Sequence, residues 1–191
     1  MINTLLSLIN NITKFNETCK DKKLSKELNL VILNSFLSDS NYIRIEKDNN
    51  KIIGIILGKI KDLKDQNQIK IDPIKINYEI IKNHNKQDNS FIEFQKEIIK
   101  TISKIKNEYI FDNELIMFSS LEKGYGKKLI ENFHNTMIKN NQKIYFLITN
   151  STCNWRWYIK NKYMLIKIYM IDGSELHDKK ILIMIFKKEI K

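Results

Sequence analysis

The sequence predicts an α+β fold in which a mixed, largely antiparallel sheet of about six strands is flanked by helices. Three observations support this prediction. Apolar residues recur at helical spacing near the start, the spacing changes to a period of two from Asn41, and a later stretch follows the order strand, glycine-containing turn, helix, strand. The length of 191 residues suits a single domain, and Gly and Pro are too scarce for a linker-dominated or disordered chain.

The first half of the chain predicts two helices and a hairpin. Residues 2–15 and 22–37 repeat apolar positions at helical spacing. The hairpin follows, because Asp48-Asn49-Asn50 is a turn signal and the next strand, Ile52–Leu57, is nearly all apolar. This second strand contains Gly54 and is followed by Gly58, and both predict a bulge or a close approach of another backbone.

The middle of the chain, residues 61–107, is predicted to be an insertion before the central strand. Its first part is polar and irregular, and its second part, Phe91–Lys106, is an amphipathic helix with apolar residues on one side and a stripe of lysines on the other. We interpret the lysine stripe as a solvated face.

The second half of the chain predicts four strands and two helices. In chain order they are a strand, a helix, a strand, a short helix and two last strands: Tyr109–Phe118, Gly124–Asn140, Lys143–Thr149, Thr152–Asn161, Tyr163–Ile171 and Lys180–Lys187.

Composition narrows the class of protein. No apolar run approaches the roughly 20 residues that cross a bilayer, and the start lacks a basic leader followed by an apolar block, so we expect a soluble, cytoplasmic protein. Cys19 and Cys153 have no CxxC partner, which argues against a metal site or a disulfide framework. Oligomeric state is left open, a homodimer being one option.

The formal net charge of +11 raises the alternative of a nucleic-acid-associated protein. However, 31 of the 33 basic residues are lysine, they are dispersed through every segment, and proteins that grip bases usually rely on bidentate arginine. The abundance of Lys, Asn and Ile is also typical of adenine- and thymine-rich coding sequences. We therefore disfavour nucleic-acid binding and keep only a general attraction to anionic ligands.

The glycine-containing turn is the most informative segment. A strand beginning at Glu114 leads into Leu121-Glu-Lys-Gly-Tyr-Gly126 and then into a helix. Glycines there let the backbone approach a ligand, and the unsatisfied amides of the first helical turn point at it. Lys127 and Lys128 add positive charge where acidic side chains are preferred, which favours a bound anion. A plain loop-to-helix junction is the alternative, because a Gly-x-Gly alone is weak evidence.

Together with Lys143–Tyr163, this segment resembles the acetyl-coenzyme A core of the GNAT superfamily of N-acetyltransferases. In that family a strand beginning Glu-Leu leads into Arg/Gln-x-x-Gly-x-Gly/Ala, followed by a Thr-containing strand end, an Asn and an aromatic-Tyr pair. This chain offers Thr149, Asn154 and Trp157-Tyr158 in that order. The resemblance is strongest over residues 112–170, which it identifies as the acetyl-coenzyme A core of a single domain covering residues 1–191.

The resemblance implies acetyl-coenzyme A as co-substrate and two central strands that run parallel and splay apart. The residues it implies for holding acetyl-coenzyme A are Phe118, Ser119, Ser120, Lys123, Gly124, Tyr125, Gly126, Lys127, Lys128 and Asn154. It also implies Tyr158 as general acid, since a phenol with a pKa of roughly 10 stays protonated at neutral pH. Glu114 lies where some family members keep a carboxylate that removes a proton from the amine.

Three departures from the family pattern are present. Leu121 stands where the family has Arg or Gln, the stretch from Phe118 to Gly124 is several residues shorter than the family's usual connection, and Lys162-Tyr163 stands where it commonly has Gly-Phe. The first two leave an alternative open. The preferred function is direct transfer of acetyl from acetyl-coenzyme A to a primary amine of a small molecule or peptide. The alternatives are a non-catalytic acyl-coenzyme A-binding or regulatory module and, less favoured, the nucleic-acid-associated protein.

Overall fold

The structure is a computed structural model that describes residues 2–13, 17, 19–63, 75–83, 86–171 and 180–190. The helices are α1 (Ile2–Thr13), α2 (Lys22–Asp39), α3 (Tyr78–Lys82), α4 (Lys86–Glu108), α5 (Tyr125–Lys139) and α6 (Trp155–Lys160). The strands are β1 (Tyr42–Asp48), β2 (Lys51–Lys59), β3 (Glu114–Ser120), β4 (Ile144–Asn150), β5 (Met164–Ile171) and β6 (Ile181–Glu189).

These strands form one sheet in the order β1-β2-β3-β4-β6-β5. β3 and β4 are parallel, and every other neighbouring pair is antiparallel. Helices α1, α2 and α4 pack on one face of the sheet, and α5 and α6 pack on the other. The predicted fold class, an α+β fold with a mixed and mostly antiparallel sheet, is confirmed.

The first hairpin forms as predicted. β1 and β2 pair from Tyr42 opposite Gly58 to Asp48 opposite Lys51. The two turn residues have positive φ angles, 45° at Asn49 and 64° at Asn50, which asparagine tolerates better than most residues.

A bulge interrupts β3 where it pairs with β2. Leu57 pairs with Met117 and Gly58 with Leu115, so Ile116 has no partner on β2. Gly58 also meets the predicted close approach, because a Cβ built there would lie 2.5 Å from a ring carbon of Phe133. The bulge bends β3 next to its parallel neighbour.

The two parallel strands diverge beyond the bulge. β3 and β4 pair at a single register position, Glu114 opposite Phe146, and the rest of each strand lies outside that ladder. The predicted splaying of the two central strands is therefore present, and it opens the sheet toward the carboxyl ends of both strands.

The amphipathic helix of the insertion extends beyond its predicted bounds to Lys86–Glu108. Its lysine face is solvated as expected, since Lys96 and Lys100 are mostly exposed and pair with glutamates three positions earlier at 2.6 and 3.7 Å. Its apolar face buries Phe94 and Ile105 against β6. Residues 64–74 and 84–85 of the insertion lie outside the described ranges.

The predicted strand Tyr109–Phe118 begins later and ends later than expected, at Glu114–Ser120. The physical reason is Asn113, whose side chain donates to the carbonyl of Ile144 at 2.9 Å and accepts from the amide of Lys61 at 2.8 Å. This buried amide takes the place of ladder bonds and fixes where β3 starts. The predicted helix Thr152–Asn161 is likewise shorter, because Thr152 belongs to a turn held by Asn150.

Candidate active site

The splayed strands open a cleft of about 1250 Å³. Its walls come from β3, β4, α6 and the start of α5, and from α1, α2 and α4 on the opposite side. The cleft is lined by ten residues that the sequence singled out: Glu114, Phe118, Ser119, Ser120, Lys123, Gly124, Gly126, Lys127, Asn154 and Tyr158. One continuous space thus joins the glycine turn, the phenol and the carboxylate.

The glycine turn forms a cradle of free amides at the start of α5. Gly124 has a φ of 96°, a left-handed conformation that favours glycine, and nothing lies within 4 Å of a Cβ built there. The helix has no side-chain cap, and the amides of Gly124, Tyr125 and Gly126 have no acceptor in the described part of the chain. Such amides suit phosphate oxygens, so the residues present fit the diphosphate of acetyl-coenzyme A.

Gly126 sets how closely α5 approaches the sheet. A Cβ at this position would lie 2.9 Å from Cζ of Phe118, so a larger residue would push the helix away from β3. The Phe118 ring in turn contacts Trp157 of α6 at a centroid distance of 5.6 Å. These contacts fix the cradle relative to the helix that carries Tyr158.

Two of the predicted acetyl-coenzyme A residues have side chains elsewhere, outside the lining of the cleft. Nζ of Lys128 lies 2.8 Å from Glu46, a buried carboxylate that Arg44 also contacts at 2.9 Å. Burial would raise the pKa of Glu46, but the hydrogen bonds from Lys128 and Arg44 outweigh it and lower that pKa. Lys128 therefore ties α5 to β1, and the Tyr125 ring lies against it at 6.0 Å. Only the backbone amide of Tyr125 faces the cradle.

Tyr158 places a phenol at the cleft. Its ring packs against Tyr163 at 5.2 Å and Phe186 at 5.6 Å, yet within the described residues its hydroxyl group has no hydrogen-bond partner. Burial raises the pKa of Tyr158 above the usual value, and Cys153 and Tyr163 add to the effect. The hydroxyl group thus stays protonated at neutral pH and is free to donate to a ligand.

The neighbouring tyrosines differ from Tyr158 because their hydroxyl groups are engaged. The hydroxyl oxygens of Tyr145 and Tyr163 lie 2.6 Å apart, and Nε2 of His134 lies 2.9 Å from the hydroxyl of Tyr145. Burial lowers the pKa of His134 to about 4, so its imidazole is neutral in this chain of hydrogen bonds. This network holds the middle of α5 against β4 and against Tyr163, which directly precedes β5.

Glu114 lies at the other end of the cleft in a charged cluster. Nζ of Lys106 is 3.3 Å from Glu114 and 3.2 Å from Asp39, so one ammonium serves two carboxylates. Burial raises the pKa of Glu114, and the charge of Lys106 opposes only part of that rise. Glu114 therefore lines the cleft as a candidate proton acceptor.

Sequence reasoning missed the bulge at Ile116 and the walls supplied by α2 and α4. Phe94, Ile98 and Ile102 line the cleft at intervals of four residues, and that spacing was visible as the apolar side of an amphipathic helix. It indicated burial without indicating a ligand. The bulge had no local signal, because it depends on how β3 pairs with Gly58.

Two further properties concern the described residues alone. They contain no group of three or more His, Cys, Asp or Glu side chains placed to hold a metal ion. They also contain no helix with both the length and the apolar character needed to cross a membrane.

Comparison with known proteins identifies the fold. No model of a known protein family matches the chain, and no curated protein matches its sequence. Among solved structures, it is similar to a protein assigned to the GNAT acetyltransferase family from Desulfovibrio desulfuricans, with a TM-score of 0.54 and 7% identity over 100% of this chain and 92% of that one.

Two other structures have the same fold. An aminoglycoside 6'-acetyltransferase type Ii has a TM-score of 0.50 at 12% identity, covering 100% of this chain and 90% of that one. The C-terminal condensation domain of Ebony, in complex with beta-alanyl-dopamine, has a TM-score of 0.50 at 14% identity, covering 99% and 94%. The chain therefore has the fold of the GNAT acetyltransferases.

Proposed function

We propose that this chain is an N-acetyltransferase that transfers the acetyl group of acetyl-coenzyme A directly to a primary amine. One observation carries the proposal: the amides of the cradle and the hydroxyl group of Tyr158, which have no hydrogen-bond partner among the described residues, open into the same cleft. The presence of an aminoglycoside acetyltransferase among structures of this fold supports the reaction class. We assign the binding core to residues 112–170 of a single domain.

Acetyl-coenzyme A would bind along the opening between β3 and β4. The amides of Gly124, Tyr125 and Gly126 would donate to the diphosphate, and Lys123 and Lys127 would add positive charge at the rim. Backbone groups between the Ile116 bulge and Ser120 are released from the ladder with β4, so they are available to align the pantetheine arm and the thioester. Asn154 would contact the arm from the opposite wall.

The transfer step needs one proton acceptor and one proton donor. The amine nitrogen attacks the thioester carbonyl carbon, a C–N bond forms and the C–S bond breaks. Glu114 takes the proton that the amine loses, and Tyr158 gives its proton to the departing sulfur. Solvent then carries a proton from Glu114 back to Tyr158, so the products are an amide and coenzyme A. Holding both substrates in one cleft supplies much of the acceleration.

The small number of side-chain donors around the cradle favours a second candidate. This candidate is a module that binds acyl-coenzyme A without turnover. Leu121, where the resemblance expects Arg or Gln, is 38% exposed and lies outside the cleft lining, and Lys128 is engaged with Glu46. The cradle therefore offers fewer side-chain donors than the family pattern implies.

Calorimetry and a thiol-release assay separate these candidates. The proposal predicts saturable binding of acetyl-coenzyme A and release of free coenzyme A only when an amine is present. Binding without release across a broad panel of primary amines would favour the module. Absence of binding would contradict both, and affinity for nucleic acid that falls steeply with salt would revive the remaining alternative.

A further inference from the structure

The cleft contains an apolar trough between α4 and α2, on the face of the sheet opposite Tyr158's helix. From α4 the trough is lined by Phe94, Ile98, Ile102 and Lys106, which follow one another at intervals of four residues. Residues so spaced lie along one face of a helix, and this row extends over about 18 Å. The row thus consists of three apolar side chains followed by one charged side chain.

The opposite wall repeats this order. From α2 the trough is lined by Ile32 and Phe36 and then, at the end of the helix, by Asp39. The two walls meet at their charged ends, where Lys106 and Asp39 form an ion pair of 3.2 Å. The floor between the walls is formed partly by Ile116 and Ile148. The trough is therefore mainly apolar along its length, with Ser35, Gln95 and Ser103 as polar lining residues, and it is charged at one end.

The charged end offers carboxylate oxygens to an amino group. Glu114 and Asp39 are the carboxylates, Lys106 lies between them at 3.3 and 3.2 Å, and Lys59 is near enough to lower the pKa of Glu114 as well. Among the described residues that line the cleft, the remaining acidic side chain is Glu122, which lies beside the cradle. The walls along the trough therefore offer no carboxylate that could pair with a second positive charge on a ligand.

We propose that the acceptor is an amphipathic monoamine, with its amino group at Glu114 and a linear alkyl or aryl-alkyl tail along Phe36, Ile98 and Ile102. This inference rests on the proposed acetyl transfer and specifies its substrate class. An amine attached to an apolar tail matches both the single charged end and the apolar walls. A polyamine or an aminoglycoside would bury charges against isoleucine and phenylalanine side chains, which is costly.

The test is a series of linear primary amines from ethylamine to octylamine, assayed by coenzyme A release with the full chain. Their amino groups have nearly equal basicity, so the tail is the variable. Each methylene buried in the trough should raise kcat/KM about fourfold, which gives roughly 200-fold between butylamine and octylamine. 1,8-Diaminooctane should be a much poorer substrate than octylamine. A flat series, or a preference for diamines and aminoglycosides, would overturn the proposal.

A matched pair of variants tests the location of the tail. Ile98→Asn introduces a polar group midway along the trough and should lower the ratio of kcat/KM for octylamine to that for ethylamine at least tenfold. The control is Ile138→Asn on α5, where the side chain is 47% exposed and lies outside the cleft lining. That variant should keep the wild-type ratio. Equal ratios in all three proteins would contradict the proposed tail site.

Calorimetric measurement of amine binding distinguishes failure of the proposed amine site in the trough from failure of the proposed acetyl transfer. If no amine is acetylated, the acetyl-transfer proposal fails, and calorimetry of octylamine and ethylamine with the protein still tests the trough. Tighter binding of octylamine that is weakened by Ile98→Asn would support the trough as an amphipathic-amine site. Equal or undetectable binding of both amines would overturn it.

Discussion

Tyr158→Phe is the substitution that most clearly separates chemistry from packing. The change removes one hydroxyl group and keeps the ring that contacts Tyr163 and Phe186. Because this hydroxyl group has no hydrogen-bond partner in the described part of the chain, its loss breaks no hydrogen bond there. We therefore expect the free energy of unfolding to change by less than about 0.5 kcal/mol.

The effect on turnover should be much larger. If Tyr158 protonates the departing sulfur, kcat should fall by roughly 10²- to 10⁴-fold, equivalent to about 3 to 5 kcal/mol in the activation barrier. Affinity for acetyl-coenzyme A should be nearly unchanged, since the cradle at Gly124 and Gly126 remains intact. The assay is coenzyme A release at saturating substrates, with calorimetry for binding and urea unfolding for stability.

Tyr163→Phe is the matched control in the same aromatic cluster. It removes a 2.6 Å hydrogen bond to Tyr145, so the free energy of unfolding should be about 1 to 2 kcal/mol lower than in the wild type. The value of kcat should change little. Full turnover in Tyr158→Phe would refute its role as the acid. An equal loss of turnover in both variants would show that packing, rather than proton donation, explains the effect.

Three further predictions follow from the cradle, the carboxylate and the buried histidine. Gly124→Ala should destabilise the fold by only about 1 to 2 kcal/mol, because φ is 96°, while weakening acetyl-coenzyme A binding at least tenfold by calorimetry; unchanged affinity would argue against the cradle. Glu114→Gln should lower kcat and remove an acid limb from its pH profile, a limb lying above pH 4.5 because burial raises the pKa of Glu114; an unaltered profile would exclude Glu114 as the base. His134 has a folded-state pKa of about 4, so below pH 6.5 the unfolded chain binds more protons, and up to about 3 kcal/mol of stability should be lost as pH falls from 6.5 to 4. His134→Gln should flatten this part of the stability curve in urea titrations, and a curve as steep as the wild type would contradict the assignment.

Local sequence patterns predicted most of the fold because each depends on neighbouring residues. Helical spacing placed α2, α4 and α5, and the asparagine turn at Asn49 and Asn50 placed the first hairpin with its positive φ angles. The glycine turn predicted free amides at the start of α5, and Gly124 and Gly126 do lie at the mouth of the cleft. These features are encoded within a few residues.

Features that depend on distant pairing could not be predicted in the same way. The bulge at Ile116 arises from pairing with Gly58, and the start of β3 is set by Asn113 through contacts with Lys61 and Ile144. Lys128 resembled an anion ligand because its partner, Glu46, lies 82 positions away in the chain. In each case an interaction across the fold, invisible in local spacing, decided the outcome.

The same limit explains why the apolar trough between α2 and α4 was not anticipated. The spacing of Ile98 and Ile102 indicated an apolar helix face, which serves equally for a core and for a ligand wall. The two roles can be told apart only in the folded structure, which places this face opposite Phe36 and brings the ends of both walls together at the ion pair of Lys106 and Asp39.

The most direct measurement is a crystal structure of the protein with coenzyme A. We expect the diphosphate oxygens to lie within about 3 Å of the amides of Tyr125 and Gly126, as in hydrogen bonds, and the sulfur to lie within reach of the hydroxyl group of Tyr158. Coenzyme A bound with its diphosphate away from these amides, or with its sulfur remote from Tyr158, would contradict the proposed site.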